Sequence, residues 1–253
     1  MKRNLILLLL TFLISGLSNQ NLAAKPLKLL IFSKTNGYRH ASIPSGLEAL
    51  NKLATENNWQ ITASEDSSIF TTQQLSNIDL VIFLSTSGDV LGSAEQQALQ
   101  HFVESGKGLL TIHSGTDTEY NWPWYSQAIG THFLGHPPTQ KAKVLIEDRN
   151  NPATVCFPDS IWEAEDEWYS FRSNPRPDVH VLVSMDEQSY DVDDNRWFAG
   201  AKQRMGDHPI VWYRKVGKGI VFQSGFGHTN EMFTNPVYLC HIKGAIEWIT
   251  GNR

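Results

Sequence analysis

Cysteine is scarce in this chain of 253 residues, which contains only Cys156 and Cys240. Neither cysteine lies in a motif typical of a nucleophile. The pair could form one disulfide bond, but the sequence does not show that the two Cα atoms lie within bonding distance. We therefore interpret the pair as two buried thiols and keep the disulfide as the alternative.

Long hydrophobic runs are missing as well. The apolar stretch from Leu5 to Leu17 is shorter than the ~20 residues that span a bilayer. A positively charged start precedes it and Ala24 offers a small residue for cleavage, so the pattern predicts a secretory signal peptide over residues 1–24. No cysteine follows the run as a point for lipid attachment. We expect a single mature domain over residues 25–253, periplasmic or secreted and without a membrane span.

An excess of positive charge is the third absence. Removing Lys2 and Arg3 with the predicted leader takes the 21 basic residues to 19, against 26 acidic residues, so the net charge is near −7. Nothing in this balance suggests nucleic acid or anionic lipid as a partner. The length left after 24 of the 253 residues are removed is enough for one large α/β domain with a full core.

Apolar runs and amphipathic segments alternate in the first half of the chain. Strands are expected at Lys28–Ser33, Trp59–Ser64, Asp79–Thr86 and Gly108–Ser114. Between them lie helices with apolar residues at helical spacing, and "SAEQ" from Ser93 has the form of a capping box. Near-continuous apolar strands that alternate with helices are typical of a parallel sheet covered on both faces.

The second half is less regular. "AKVLIED" and "VHVLVSMD" have the composition of strands, and "VGKG" supplies turn glycines between two further strands. A helix is expected to begin at Asn235 and Pro236 and to stop at Gly251.

The strand pattern also predicts where a ligand binds, because ligands of open α/β sheets lie beyond the carboxyl ends of the strands. The loops that would meet at this rim are Lys34–His40, Thr86–Asp89, His113–Asp117 and Gly225–His228. If the strands are parallel, three histidines of these loops share one crevice.

His113 comes where the strand in "GLLTIHSGTD" leaves the sheet. This layout resembles a nucleophile elbow, but histidine stands where glutamine amidotransferases carry cysteine, so thiolate attack on an amide is excluded. Ser114 lacks the glycine-X-serine-X-glycine frame of serine hydrolases. A lone histidine is more often structural, yet its place at the strand end, four residues before Asp117, favours a functional role.

Other histidines and a run of acids offer companions for His113. "GHP" and "GHT" present His136 and His228 after glycines, and "EAEDEWYSF" alternates so that Glu165 and Glu167 could share one side of a strand. Histidines with a carboxylate can bind a divalent metal ion or act as acid and base without one. No HExxH motif is present, so both interpretations stay open.

Aromatic residues are dense in "TEYNWPWYSQ", which contains Tyr120, Trp122, Trp124 and Tyr125. Aromatic faces stack well on sugar rings and suit wet pockets. A plug that closes one end of the sheet is the alternative interpretation.

Four segments together resemble the trehalose-utilisation, or ThuA-like, family. They are "KTNGYRHASI", "GLLTIHSGTDTEYNWPWYSQAIGTHFLGHP", "DEWYSFRSNPRPDVHVLVSMDE" and "HPIVWYRKVGKGIVFQSGFGHTNEMFTNPVYLCHIKGAIEWITG". The resemblance implies a class I glutamine amidotransferase-like fold, which is a flavodoxin-like three-layer α/β sandwich with a mainly parallel sheet. It also implies a role in carbohydrate use, where sugars oxidised to 3-keto-glycosides are cleaved or rearranged. The segment from Asn150 to Ile161 departs from the family pattern.

We therefore predict an exported carbohydrate-acting hydrolase, lyase or isomerase that processes keto-glycosides or disaccharides. His113, His228 and Glu167 are the expected catalytic residues and, if a divalent metal ion is the cofactor, its ligands. Substrate contacts are expected from Lys34, Tyr38, Arg39, His40, Asp117, Tyr120, Trp122, His136 and Trp168. The alternatives are a non-catalytic sugar-binding protein of the same fold and a protein-interaction module.

Overall fold

Nine strands form one mixed sheet in the computed structural model, which describes residues 25–251. The predicted signal peptide lies outside the described residues. In chain order the strands are β1 (Lys28–Phe32), β2 (Gln60–Ser64), β3 (Leu80–Leu84), β4 (Gly108–Ile112), β5 (Phe133–Gly135), β6 (Gln140–Ile146), β7 (Ile161–Asp166), β8 (Ser170–Phe171), β9 (His180–Met185), β10 (Pro209–Val216) and β11 (Gly219–Ser224). The helices are α1 (Ile43–Asn57), α2 (Thr72–Leu75), α3 (Ser93–Glu104), α4 (Pro123–Ile129) and α5 (Pro236–Thr250).

The main sheet has the order β2–β1–β3–β4–β11–β10–β9–β6–β7, while β5 and β8 pair apart from it. The first five strands of this order are parallel to one another. The remaining four continue the sheet by antiparallel pairing. The predicted α/β fold is confirmed, and an antiparallel extension completes it.

The parallel half is covered on both faces, as the continuous apolar strands predict. Alternate residues of one strand enter different layers: Leu29 and Ile31 join the core beneath α1 and α5, whereas Leu30 and Phe32 join the core beneath α3 and α4. All four side chains are buried because each face of β1 has a helical layer. The result is the expected three-layer sandwich.

The antiparallel half brings β7 back to the same direction as β4. Four successive antiparallel steps separate β11 from β7, and β11 itself is parallel to β4. An even number of reversals restores the direction, so the carboxyl end of β7 lies at the same rim as that of β4. This is how the acidic end of β7 comes to the predicted ligand-binding edge.

Helix boundaries agree with the sequence in one case and differ in another. Asn235 caps α5, because its side chain accepts hydrogen bonds from the backbone N–H groups of the second and third residues after it, and Gly251 ends α5 in a left-handed conformation. The capping box predicted at Ser93 is wrong, since α3 begins at that residue and Gly92 precedes it. Gln96 donates instead to the buried carboxylate of Glu119, at 2.6 Å.

The prediction that the two cysteines are buried thiols is wrong, and the alternative of a disulfide bond is the one that the structure shows. Cys156 and Cys240 form a disulfide, with Cα atoms 6.0 Å apart. It ties the segment before β7 to α5. That segment also packs closely on the helix, because a Cβ at Gly244 would stand 2.1 Å from the carbonyl oxygen of Pro152.

None of the helices within residues 25–251 combines the length and the apolar composition that crossing a membrane requires.

We predict that replacing both cysteines by serine lowers the free energy of unfolding by about 2–5 kcal/mol, because the bond closes a long loop in the unfolded chain. Urea denaturation of both proteins measures the difference, and reduced wild type should match the double variant. Two titratable thiols in unreduced, denatured wild type would contradict the bond.

Candidate functional site

His113 follows β4 in a strained backbone conformation, with φ 57° and ψ −98°. Such a conformation in a residue other than glycine costs about 1–3 kcal/mol and persists only where surrounding contacts fix it. Its N–H donates to the backbone carbonyl of Ser224 at 2.8 Å and its own carbonyl accepts from the side-chain amide of Gln223 at 2.9 Å, both residues being on β11. Gly115 allows the turn to close, since a Cβ there would meet Thr111 at 2.3 Å. Strand pairing therefore holds the imidazole at the rim.

Three histidines and one carboxylate converge on a single point. Nε2 of His113 lies 3.1 Å from Nε2 of His40 and 3.2 Å from Nδ1 of His228. Oε2 of Glu167 lies 3.4 Å from the same His113 atom and 3.1 Å from Nδ1 of His228. One donor atom from each of the four residues lies within 4.8 Å of the other three, which is close enough to hold a metal ion. We call these four residues the His₃Glu cluster.

The electrostatics of the His₃Glu cluster are set by burial and by the carboxylate. Burial alone would raise the pKa of Glu167, but the hydrogen bonds and charges of His113 and His228 outweigh it and lower the pKa. The pKa of His228 is raised, because its bond to Glu167 outweighs its desolvation. Burial, with His113 and His228 nearby, lowers the pKa of His40 to about 2. His40 is therefore a neutral imidazole, the form that ligates metals.

Asp166 fixes the loop that carries His228. Its buried carboxylate accepts from the backbone N–H of Gly227 at 2.7 Å and from those of His228 and Thr229 at 3.1 Å. Asp166 is the last residue of β7, so it aligns the loop after β11 with the residue that follows it, Glu167. Asp166 does not line the cavity and is not one of the four cluster residues, so it acts by positioning the loop that carries His228.

A cavity of about 580 Å³ opens over the His₃Glu cluster. This volume falls in the range of about 300–1,000 Å³ typical of small-molecule sites. The lining residues combine titratable and aromatic side chains: Tyr38, His40, Asp117, Phe133, His136, Thr139, Glu167, Tyr169, Trp197, Phe198 and His228.

A fourth histidine and a second carboxyl group face this cavity without belonging to the His₃Glu cluster. Nδ1 of His136 lies 3.0 Å from Oε1 of Glu167, and the pKa of His136 is lowered by burial. Burial also raises the pKa of Asp117, although a hydrogen bond from the Tyr120 hydroxyl opposes the shift. Groups with perturbed pKa values in a cleft are typical of functional sites.

The structure brings several predicted site residues to this cavity, and His40 has a second place in the His₃Glu cluster. Tyr38, Asp117 and His136 line the cavity, where they can contact a ligand. His40 also lines the cavity, so its predicted substrate contact stays a prediction, and its buried side chain in addition directs Nε2 into the His₃Glu cluster as a candidate metal ligand.

Lys34 and Arg39 do not line the cavity. The ammonium of Lys34 donates to Ser67 at 3.4 Å, and the guanidinium of Arg39 forms an ion pair with Glu65 at 2.7 Å. Both side chains are thus engaged with the region after β2, and the structure does not bring them to the cavity.

Three predicted aromatic contacts also lie away from the cavity. Trp168 is fully buried and its indole N–H donates to the carbonyl of Gln140 at 2.8 Å. Trp122 packs in the core beneath α3 and α4, as the plug interpretation has it. Tyr120 stacks on His132 with ring centroids 4.7 Å apart and reaches the cavity only through Asp117.

The prediction that Glu165 and Glu167 lie on the same side of a strand is wrong, because β7 ends at Asp166, one residue before Glu167. Glu165 is exposed on β7, whereas Asp166 and Glu167 are both buried because the strand ends between them. Glu165 and Glu167 therefore do not share a side.

Aromatic residues of the cavity wall were missed. Tyr169 lies beside His113, with ring centroids 4.5 Å apart, one residue after the tryptophan that the sequence favoured. Trp197 and Phe198 come from the irregular segment between β9 and β10. No periodicity marks that segment, so only the density of aromatics in "NRWF" could have drawn attention to it.

Comparisons with known proteins agree with this fold. The family model for ThuA, trehalose utilisation, matches residues 28–249. A ThuA-like protein from Bacteroides uniformis has a similar structure, with a TM-score of 0.72 and 23% identity over 91% of this chain and 94% of that chain. A ThuA-like protein from Parabacteroides merdae has a TM-score of 0.67 and 17% identity over 90% and 91%.

A cytoplasmic protein from Salmonella typhimurium shares the fold with a TM-score of 0.61 and 13% identity, over 88% of this chain and 99% of that chain. At these identities the structural likeness shows the fold alone. No protein in the curated set matches the sequence significantly.

We predict that Asp166→Ala lowers the free energy of unfolding by at least about 1–3 kcal/mol, because buried N–H groups of residues 227–229 lose their acceptor. Thermal and urea unfolding measure the loss. Glu165→Ala on the same strand is the matched control and should change stability by no more than about 0.5 kcal/mol. Equal stability of the two variants would refute the positioning role.

Proposed function

The chain belongs to the ThuA family, trehalose utilisation, and from this we propose that it is a sugar-processing enzyme with a divalent metal ion at its reaction centre. The ion is held by His40, His113, His228 and Glu167. The observation that carries the proposal is the spacing of the four donor atoms. A carbohydrate bound in the adjoining cavity is the substrate.

The donor spacing is that of a small tetrahedral metal site. Zinc binds histidine nitrogen and carboxylate oxygen at about 2.0–2.2 Å, which puts neighbouring donors of a tetrahedron roughly 3.3–3.5 Å apart. The contacts around His113 and His228 measure 3.1, 3.2, 3.4 and 3.1 Å. These four of the six donor–donor distances lie within about 0.2 Å of this edge length, and all six are below 4.8 Å.

Hydrogen bonding does not account for the cluster equally well. Nε2 of His113 faces Nε2 of His40, Nδ1 of His228 and Oε2 of Glu167, yet an imidazole nitrogen carries at most one hydrogen. One cation satisfies all the lone pairs at once. Three imidazoles and one carboxylate suit zinc and other first-row divalent ions rather than magnesium or calcium.

With His113 as a ligand, the proton-transfer role passes to Asp117. A divalent ion at this site would supply Lewis acidity to a sugar carbonyl by taking the carbonyl oxygen as a further ligand beside the four side chains, as catalytic zinc does when its coordination expands. The carboxylate of Asp117 takes the proton from the carbon beside that carbonyl. The C–H electron pair then forms the new carbon–carbon double bond, and the carbonyl π pair moves to its oxygen. This step begins both isomerisation and elimination of a keto-glycoside.

We further propose that the protein acts outside the cytoplasm, as its predicted signal peptide implies. The disulfide between Cys156 and Cys240 supports this location, because such bonds form and persist in oxidising compartments.

The metal is tested on purified, tag-free protein exposed to zinc and then dialysed. We expect one equivalent of zinc per chain by elemental analysis. When Co²⁺ replaces zinc, we expect the visible ligand-field absorption bands that are typical of tetrahedral Co²⁺. Glu167→Gln and His228→Asn should bind the metal at least about 100-fold more weakly, since loss of even an outer partner costs 10–100-fold.

His101→Asn provides the matched control, because this histidine is exposed on α3 away from the cavity. It should keep the full equivalent of metal. If wild type retains no metal, or if the ligand variants retain it fully, the proposed metal site is rejected and the acid–base role of His113 takes its place.

Asp117→Asn should reduce turnover of a 3-keto-glycoside by about 10²–10⁴-fold, the usual contribution of general acid–base catalysis. Metal content should stay unchanged, because Asp117 is not a ligand. Asp178→Asn, an exposed acid far along the chain, is the control. Full turnover by Asp117→Asn would rule out the assignment, and sugar binding without turnover by wild type would favour the binding-protein alternative.

A further inference from the structure

Two large aromatic side chains stand exposed at the mouth of the cavity. Tyr38 is 66% exposed and Trp197 is 57% exposed, and both line the cavity. Only three other large hydrophobic side chains within residues 25–251 are exposed to solvent, and none of them lines this cavity. Exposed apolar surface at the rim of a concave site is a mark of binding.

Aromatic rings run without a break from the His₃Glu cluster to Trp197. The ring of Tyr169 lies 4.5 Å from His113, and His136 stacks on Tyr169 with centroids 5.6 Å apart and an interplanar angle of 21°. Trp197 lies 5.5 Å beyond His136. One wall of the cavity is therefore aromatic from floor to mouth.

A second row of ring contacts ends in Tyr38. Its ring lies 4.9 Å from His40, whose ring in turn lies 4.6 Å from His113. The two exposed rings thus stand on separate chains of contacts that both begin at the floor. A ligand that extends from the floor to the mouth therefore meets exposed aromatic surface at its outer part.

Trp197 is held in place by its neighbour. Phe198 packs edge-on against Phe133 at 5.4 Å and against His136 at 4.9 Å. Gly135 makes room for it, because a Cβ at this glycine would meet the ring of Phe198 at 3.0 Å. The segment between β9 and β10 therefore presents the indole at a defined position.

The charges of the lining side chains indicate which class of sugar the cavity binds. The lining contains the carboxyl groups of Asp117 and Glu167 and no lysine or arginine. Arg196 lies beside Trp197, with its guanidinium 6.0 Å from the ring centroid, but it is already paired with Asp194. A neutral outer sugar ring needs no charged partner here, because it can stack its apolar C–H face on the rings and keep its hydroxyl groups in water.

We propose that Tyr38 and Trp197 form an outer subsite that binds a second neutral sugar ring, so that the enzyme selects two-ring glycosides over free monosaccharides. This inference rests on the proposed function only in placing the reactive ring at the His₃Glu cluster. Trp197 is the specificity-determining residue, since its indole offers the larger face and its position is fixed by Phe198.

The test compares trehalose with glucose by calorimetric titration of the zinc-loaded protein. We expect Trp197→Ala to weaken trehalose binding about tenfold and to leave glucose binding within about twofold, because only the two-ring ligand reaches the mouth. Trp197→Phe should restore most of the loss, and Tyr38→Ala should repeat the pattern with a smaller change. Trp124→Ala, a half-buried tryptophan outside the cavity, is the matched control.

Each outcome separates this subsite from the proposed function. Equal loss for glucose and trehalose, or no loss for either, overturns the subsite while zinc binding and the Asp117→Asn result still stand. Wild type that binds trehalose no more tightly than glucose overturns it too. Selective loss in a protein that holds no zinc supports the subsite and rejects the metal. Unchanged melting temperatures confirm that the exposed side chains were removed without unfolding.

Discussion

The carboxylate of Glu167 is the contact on which the site depends. Its two oxygens meet three imidazoles, Oε1 with His136 at 3.0 Å and Oε2 with His113 and His228 at 3.4 and 3.1 Å. A buried charge without such partners is strongly unfavourable, so the histidines hold Glu167 ionised. In return, the carboxylate fixes the relative positions of three loops. Removing it would leave three rings with no common partner.

The parallel half of the fold could be predicted from sequence, because its inner strands β1, β3 and β4 are buried on both faces and leave apolar runs. β4 and its neighbours lie where those runs occur. The disulfide could not be predicted, since Cys156 lies in an irregular segment whose approach to α5 depends on tertiary packing. The capping box at Ser93 failed for a related reason: Gln96 satisfies a distant buried carboxylate instead of its own helix end.

The centre of the site was more predictable than its walls. His113, His228 and Glu167 all follow strand ends, and strand ends are visible in the sequence. Which face a loop side chain takes is not visible, so Lys34 and Trp168 were expected in a cavity that they do not reach. The dense aromatics of "TEYNWPWYSQ" serve packing, whereas the cavity takes Trp197 from a segment without periodicity. The local pattern of apolar and polar residues predicts burial well, but it does not predict which side chains of distant loops meet in one cavity.

The reversals between β11 and β7 impose a rule of parity on the evolution of this architecture. An insertion or deletion of one strand in the antiparallel half would reverse the direction of β7. Glu167 would then lie at the amino ends of the parallel strands, about one strand length away from the cavity. Hairpins, which add strands in twos, leave the direction of β7 intact. Relatives that keep this carboxylate at the rim should therefore differ in the extension by whole hairpins, and a relative that gained or lost a single strand must draw its anionic ligand from another part of its chain.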